Sequence, residues 1–106
     1  MKENTVIIRK AVRSDIPALI ALLEQLFSIE KDFRFDPDAQ ARGLRLMLDG
    51  CGKHRTIQTA CINDRVVGMC SAQTRISSAR GQICGIMEDL VVDKDHRGKG
   101  IGTRLL

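Results

Sequence analysis

The chain has 106 residues, 43% of them hydrophobic and 28% charged, with three Phe and neither Tyr nor Trp. That length holds one domain with an ordinary apolar core. A formal charge of +4 suits an anionic ligand, but basic residues scattered along the chain and so few aromatics for base stacking exclude a nucleic-acid module.

Thr5 to Lys10 reads as a first strand, with Val6-Ile7-Ile8 β-branched and bounded by charges. Its apolar stretch is too short for a signal peptide. Ser14 or Asp15 can cap the helix that follows, and Pro17 falls in its first turn, where a missing N–H is harmless. Ile16, Leu19, Ile20, Leu23, Leu26 and Phe27 recur at helical spacing. Ile29 to Asp36 is a charged loop carrying Phe33, Arg34 and Phe35. Asp38 to Leu48 reads as a second helix that Gly50 ends.

Arg55 to Ile62 and Val66 to Ser77 read as a β-hairpin turned by Asn63, Asp64 and Arg65. After a loop from Ser77 to Gly81, Gln82 to Val92 is a fourth strand. The cysteines at 51, 61, 70 and 84 have neither C-x-x-C spacing nor a companion His cluster. Cys61, Cys70 and Cys84 lie in strand-like stretches, as small buried hydrophobes of a reducing, cytoplasmic compartment with no metal. His54 and His96 are lone loop histidines, for which solvent exposure is expected. No segment reaches the ~18 apolar residues of a membrane span.

The chain is organised around Met87 to Leu106, MEDLVVDKDHRGKGIGTRLL. A short apolar strand end, Leu90-Val91-Val92, passes through a charged turn into Arg97-Gly98-Lys99-Gly100-Ile101-Gly102, and a helix starts near Thr103. Glycine lets backbone approach a ligand and adopt positive φ. The first N–H groups of a helix lack internal partners and carry partial positive charge. A glycine loop opening into a helix therefore offers donors to a phosphate, and Arg97, Lys99 and Arg104 add full charges. The glycine spacing fits neither the dinucleotide fingerprint nor the P-loop.

Arg97, Gly100 and Gly102 instead resemble the acyl-CoA signature of the GNAT superfamily of N-acetyltransferases, Arg/Gln-x-x-Gly-x-Gly/Ala, and Leu90 to Asp93 resembles the exit of that family's fourth strand. The resemblance implies an α+β fold with a mostly antiparallel sheet flanked by helices. Residues 1–106 would form a partial domain of strands one to four, helices one and two and the start of helix three. Leu105 and Leu106 would be the buried face of that helix, and the fourth strand would have an open edge, which leaves room for a dimer that completes the fold.

The resemblance also implies the chemistry: an acetyl group passes from acetyl-CoA to a primary amine by direct attack in a ternary complex. A lysine-like amine, with a pKa of about 10.4, needs a base to make it nucleophilic. Glu88 is the first choice and Asp89 the alternative, because neighbours on a strand point to opposite faces. Backbone groups of Leu90, Val91 and Val92 would pair with the pantetheine arm. The N–H of Val91 or Val92 would face the oxyanion. The N–H groups of Arg97, Gly98, Lys99, Gly100, Ile101, Gly102 and Thr103 would hold the pyrophosphate. Phe33, Arg34 and Phe35 would shape the pocket of a small-molecule or protein amine. The family often uses a Tyr as general acid, and these residues include none, so a non-catalytic acyl-CoA binder stays open as the alternative.

Overall fold

A computed structural model describes residues 5–30, 34–49 and 54–106. Strand β1 is Val6–Lys10, β2 is Arg55–Ile62, β3 is Arg65–Ser77 and β4 is Gln82–Val92. Helix α1 is Ile16–Ile29, α2 is Pro37–Asp49 and α3 is Ile101–Leu105, with 3-10 turns at Arg13–Asp15 and Lys94–His96. The strands make one antiparallel sheet in the order β1-β2-β3-β4. The fold is α+β, and β4 is an edge strand among the described residues.

Local chemistry sets the hairpin between β2 and β3. Asn63 and Asp64 form its two-residue loop with φ of 51° and 65°. Two left-handed residues give the turn whose twist matches the strands it joins, and Asn and Asp tolerate that region best after glycine.

Both sheet faces are covered in part, while the far ends of β3 and β4 leave Ile76 and Ile83 exposed. Ile57, Met69 and Val91 pack under α1 and α2, against Leu19, Leu22, Leu23 and Leu44. On the other face Ala60, Val67, Cys70 and Val92 meet Ile101 and Leu105 of α3. Burying each large aliphatic side chain contributes about 1.5–3 kcal/mol, and this holds the five-residue α3, which is far too short to persist alone. Close approach there needs Gly68, since a Cβ at that position would come within 3.1 Å of Leu105 Cδ1.

The buried face of α3 differs from the one expected. Leu105 is buried, but Leu106 is 64% exposed and Ile101 takes its place. Residues four apart share one side of a helix, whereas neighbours do not. Cys61 and Cys70 are buried and Cys84 is half-buried, while Cys51 lies outside the described residues.

Asp15 has a different task from capping α1. Its carboxylate accepts from both terminal nitrogens of Arg9, at 2.7 and 2.9 Å, and from the Val12 N–H at 2.8 Å. This ties the end of β1 to the start of α1. The Arg9 hydrogen bonds hold the Asp15 carboxyl below the usual carboxylate range, against the opposing effect of burial. A lowered folded pKa contributes stability that is present above the unfolded value of about 3.9 and is lost as pH falls through the folded value. Asp15→Ala should therefore cost about 2–4 kcal/mol at pH 7, at the low end of a broken buried pair because Arg9 is partly exposed. Urea unfolding should show the gap from wild type shrinking toward pH 2. A gap independent of pH would contradict this role.

Candidate functional site

The register of β3 and β4 carries one irregularity. Met69 pairs with Val91 and Ser71 with Glu88, so β4 advances three residues while β3 advances two. The extra residue makes a β-bulge, and Asp89 inside it has φ 53°. The bulge suspends the face alternation on which the expectation for Glu88 and Asp89 relied. Glu88 is exposed and Asp89 half-buried. The Ser71 hydroxyl lies 3.1 Å from the Glu88 carbonyl oxygen and 3.3 Å from the Asp89 carboxylate, as donor to both. Burial pushes the Asp89 carboxyl up; the Ser71 hydrogen bond opposes this, and the carboxylates of Glu88 and Glu30 add to it.

Asp89 lines a cavity of about 410 Å³ between the helices and the sheet. Phe27 and Leu44 make it apolar, and Arg55, Ser71 and Gln73 supply polar groups. Its walls therefore come from α1, α2, β2, β3 and the bulge. Arg34 is exposed and Phe35 half-buried, and neither lines it. Phe33 lies outside the described residues.

A second hollow of about 280 Å³ lies between the end of α1 and the end of β4. Leu26 and Ile29 wall one side, and Leu90, Val91, Val92, Arg97 and Gly102 the other. The structure thus brings together five residues that the sequence assigned to the acyl-CoA side. Farther along, Gly98 and Gly100 each have φ 78°, and apart from their chain neighbours no heavy atom lies within 4 Å of where a Cβ would be. Only glycine takes this backbone shape without strain, and the space beside both is open. Lys99, Thr103 and Arg104 are exposed at the loop. The Ile101 side chain is committed to the core, so only its backbone can face a ligand.

A network centred on Asp93 holds the loop against α1. The Gln25 amide donates to Asp93 Oδ1 at 2.7 Å and accepts from the Lys94 N–H at 2.9 Å. The Asp93 N–H donates to the Val67 carbonyl at 2.7 Å, and its Oδ2 lies 3.0 Å from His96 Nδ1. Gln25 and then His96 hold the Asp93 carboxyl low. His96 is thus half-buried and partnered, contrary to the exposure expected of it. Arg97 Nε donates to the Val92 carbonyl at 2.8 Å, which folds the loop back on β4. Gln25 and Asp93 are 68 residues apart, and nothing in the local sequence signals their contact.

Among the described residues no cluster of His, Cys, Asp or Glu could hold a metal ion. No helix among them is long and apolar enough to cross a membrane.

The profile of the Acetyltransferase (GNAT) family matches residues 20–106. None of the curated proteins compared matches the chain. Among solved structures, a possible acetyltransferase from Clostridium difficile 630 has a TM-score of 0.81 at 22% identity, over 97% of this chain and 66% of that one. An aminoglycoside N-acetyltransferase in complex with CoA has a TM-score of 0.80 at 18% identity, over 98% of this chain and 66% of that one. The glucosamine-6-phosphate N-acetyltransferase of Arabidopsis thaliana gives 0.75 at 24%, over 95% and 69%. At these identities the likeness shows the fold, and the chain spans about two thirds of the length of each. With its sheet, glycine loop and profile match together, the chain belongs to the acetyltransferase (GNAT) family.

Proposed function

We propose that the chain carries the acyl-CoA side, and part of the acceptor side, of a site that moves an acetyl group from acetyl-CoA to a primary amine. One observation carries this: Gly98 and Gly100 are both left-handed with open space beside them, and their loop adjoins the hollow along Leu90, Val91 and Val92. A side chain at either glycine would fill the place where a pyrophosphate can lie against backbone.

Bound there, acetyl-CoA supplies an activated acetyl thioester. Backbone N–H groups from Arg97 to Thr103 hold its phosphates, and Lys99 and Arg104 add charge. Leu90, Val91 and Val92 line the path of the pantetheine arm. Asp89 is the base in this reading, ahead of Glu88, because it is the carboxylate that lines the 410 Å³ cavity. Burial raises it, and a stronger base takes an ammonium proton more readily. The neutral nitrogen then attacks the thioester carbon to give a tetrahedral oxyanion. On collapse the C–S bond breaks with sulfur keeping the electron pair. The nitrogen sheds its extra proton to leave a neutral amide, and the thiolate takes up a proton through water to leave as free thiol. The N–H of Val91 or Val92 steadies the transient oxyanion.

Titrating acetyl-CoA into the protein in a calorimeter should give saturable one-to-one binding. Adding a primary amine should then release free thiol. Binding without thiol release from any amine would favour the non-catalytic acyl-CoA binder. A folded protein that does not bind acetyl-CoA would end both readings.

A further inference from the structure

The 410 Å³ cavity has one acid and one base among its lining residues, Asp89 and Arg55. Arg55 opens β2 and pairs across to Gln73 of β3, which pairs in turn to Ile86 of β4. Asp89 lies three residues along β4 from Ile86, so Arg55 and the bulge are two strand spacings across and three residues along the sheet, about 14 Å between backbones. Both residues line the same cavity, so a ligand within it can meet the two opposite charges at separate places. Arg9, Arg13 and Arg97 each hold a protein acceptor. Arg55 makes no ion pair or side-chain hydrogen bond among the described residues, so its guanidinium is available to a ligand. Gln73, half-buried, also lines the cavity from β3, the strand between β2 and β4.

We propose that the acceptor is an amine that also carries an anionic group several bonds away, with its nitrogen at Asp89 and its carboxylate or phosphate on Arg55. A guanidinium matches either oxyanion with two parallel hydrogen bonds. A second ammonium in that place would meet like charge, so the cavity selects against diamines and polyamines. The apolar wall of Leu23, Phe27, Leu44 and Met47 covers the carbon frame between the two ends. This assignment rests on Asp89 marking the acceptor side of the proposed transferase site.

The test is binding of matched probes to the full chain, read by chemical shifts of the Ser71, Gln73 and Asp89 amides. One pair is 5-aminopentanoate against pentylamine, and the other is O-phosphoethanolamine against ethanolamine. The anionic member of at least one pair should bind about tenfold tighter, the size of one charge-assisted hydrogen bond. The pair with the larger gap tells carboxylate from phosphate. Arg55→Gln should close that gap and Arg55→Lys should restore part of it, with unfolding midpoints confirming that both variants fold. Equal binding within both pairs, no binding of any probe, or an Arg55→Gln loss equal for both members would overturn the proposal. The probes are read without acetyl-CoA, so the two readings fail separately. Discrimination without acetyl-CoA binding would sink the transferase reading and leave the cavity as a binding site for such amines without their being acceptors, and acetyl-CoA binding without discrimination would sink this proposal alone.

Discussion

Gly100→Val is expected to abolish measurable acetyl-CoA binding, a loss of at least about 100-fold. Two effects add. Gly100 has φ 78°, and a β-branched residue held there costs about 1–3 kcal/mol of backbone strain. Relieving the strain moves the N–H groups away from the phosphates, and each charge-assisted hydrogen bond lost is worth about 1.5–3 kcal/mol. If the strain is not relieved, the new side chain occupies the open space where the anion lies. Apart from its chain neighbours, no protein atom stands within 4 Å of its Cβ, so the defect is aimed at the ligand and not at the core. Gly102 is the internal comparison. Its φ is not left-handed, and an added Cβ would make ordinary contact with Val92 Cγ2 at 3.8 Å. Gly102→Ala should keep the fold and lose less affinity. Calorimetry with acetyl-CoA, beside an unfolding curve for each variant, checks both. Unchanged affinity in a folded Gly100→Val protein would remove the loop from the ligand site.

What the sequence discloses here is what short-range chemistry controls. The Asn63-Asp64 turn between two strand-like runs and the apolar stripe from Ile16 to Phe27 each involve neighbours within a few residues, and the elements stand where those patterns put them. The glycine loop is legible for the same reason, since its spacing and the helix behind it are contiguous. The bulge is not legible. The left-handed backbone of Asp89 follows from how β4 lies against β3, and a strand read alone shows only strict alternation. The same limit applies to Gln25, whose two hydrogen bonds to Asp93 and Lys94 cross from α1 to the loop. Arg55, at the start of a strand, reads as an ordinary solvated charge until α2 and the bulge close the cavity beside it.

Asp89→Asn is expected to lower the transfer rate about 10²–10⁴-fold, the usual worth of a positioned base, without weakening acetyl-CoA binding. It should also make the protein more stable at neutral pH. The sign follows from the raised carboxyl. A carboxyl whose folded pKa exceeds its unfolded value keeps its proton more readily when folded. Its contribution is complete below the unfolded value of about 3.9 and is lost as pH rises through the folded value. Asn cannot ionise, keeps an oxygen for Ser71, and accepts the φ of 53° as well as Asp does. The stability gap should therefore open in favour of the variant as pH rises through that window. Wild-type activity should move the opposite way, falling as pH falls through the raised pKa, because a protonated carboxyl takes no proton from the amine. A group placed for chemistry thus stabilises the fold least in the state in which it works. Glu88→Gln supplies the contrast: exposed on the strand beside the bulge, it should change neither quantity much. Rates of thiol release and urea midpoints across pH 4 to 8 measure both. If Glu88→Gln takes the rate loss, the base is not Asp89, and if Asp89→Asn lowers stability at pH 7, the Asp89 carboxyl is not raised in the fold.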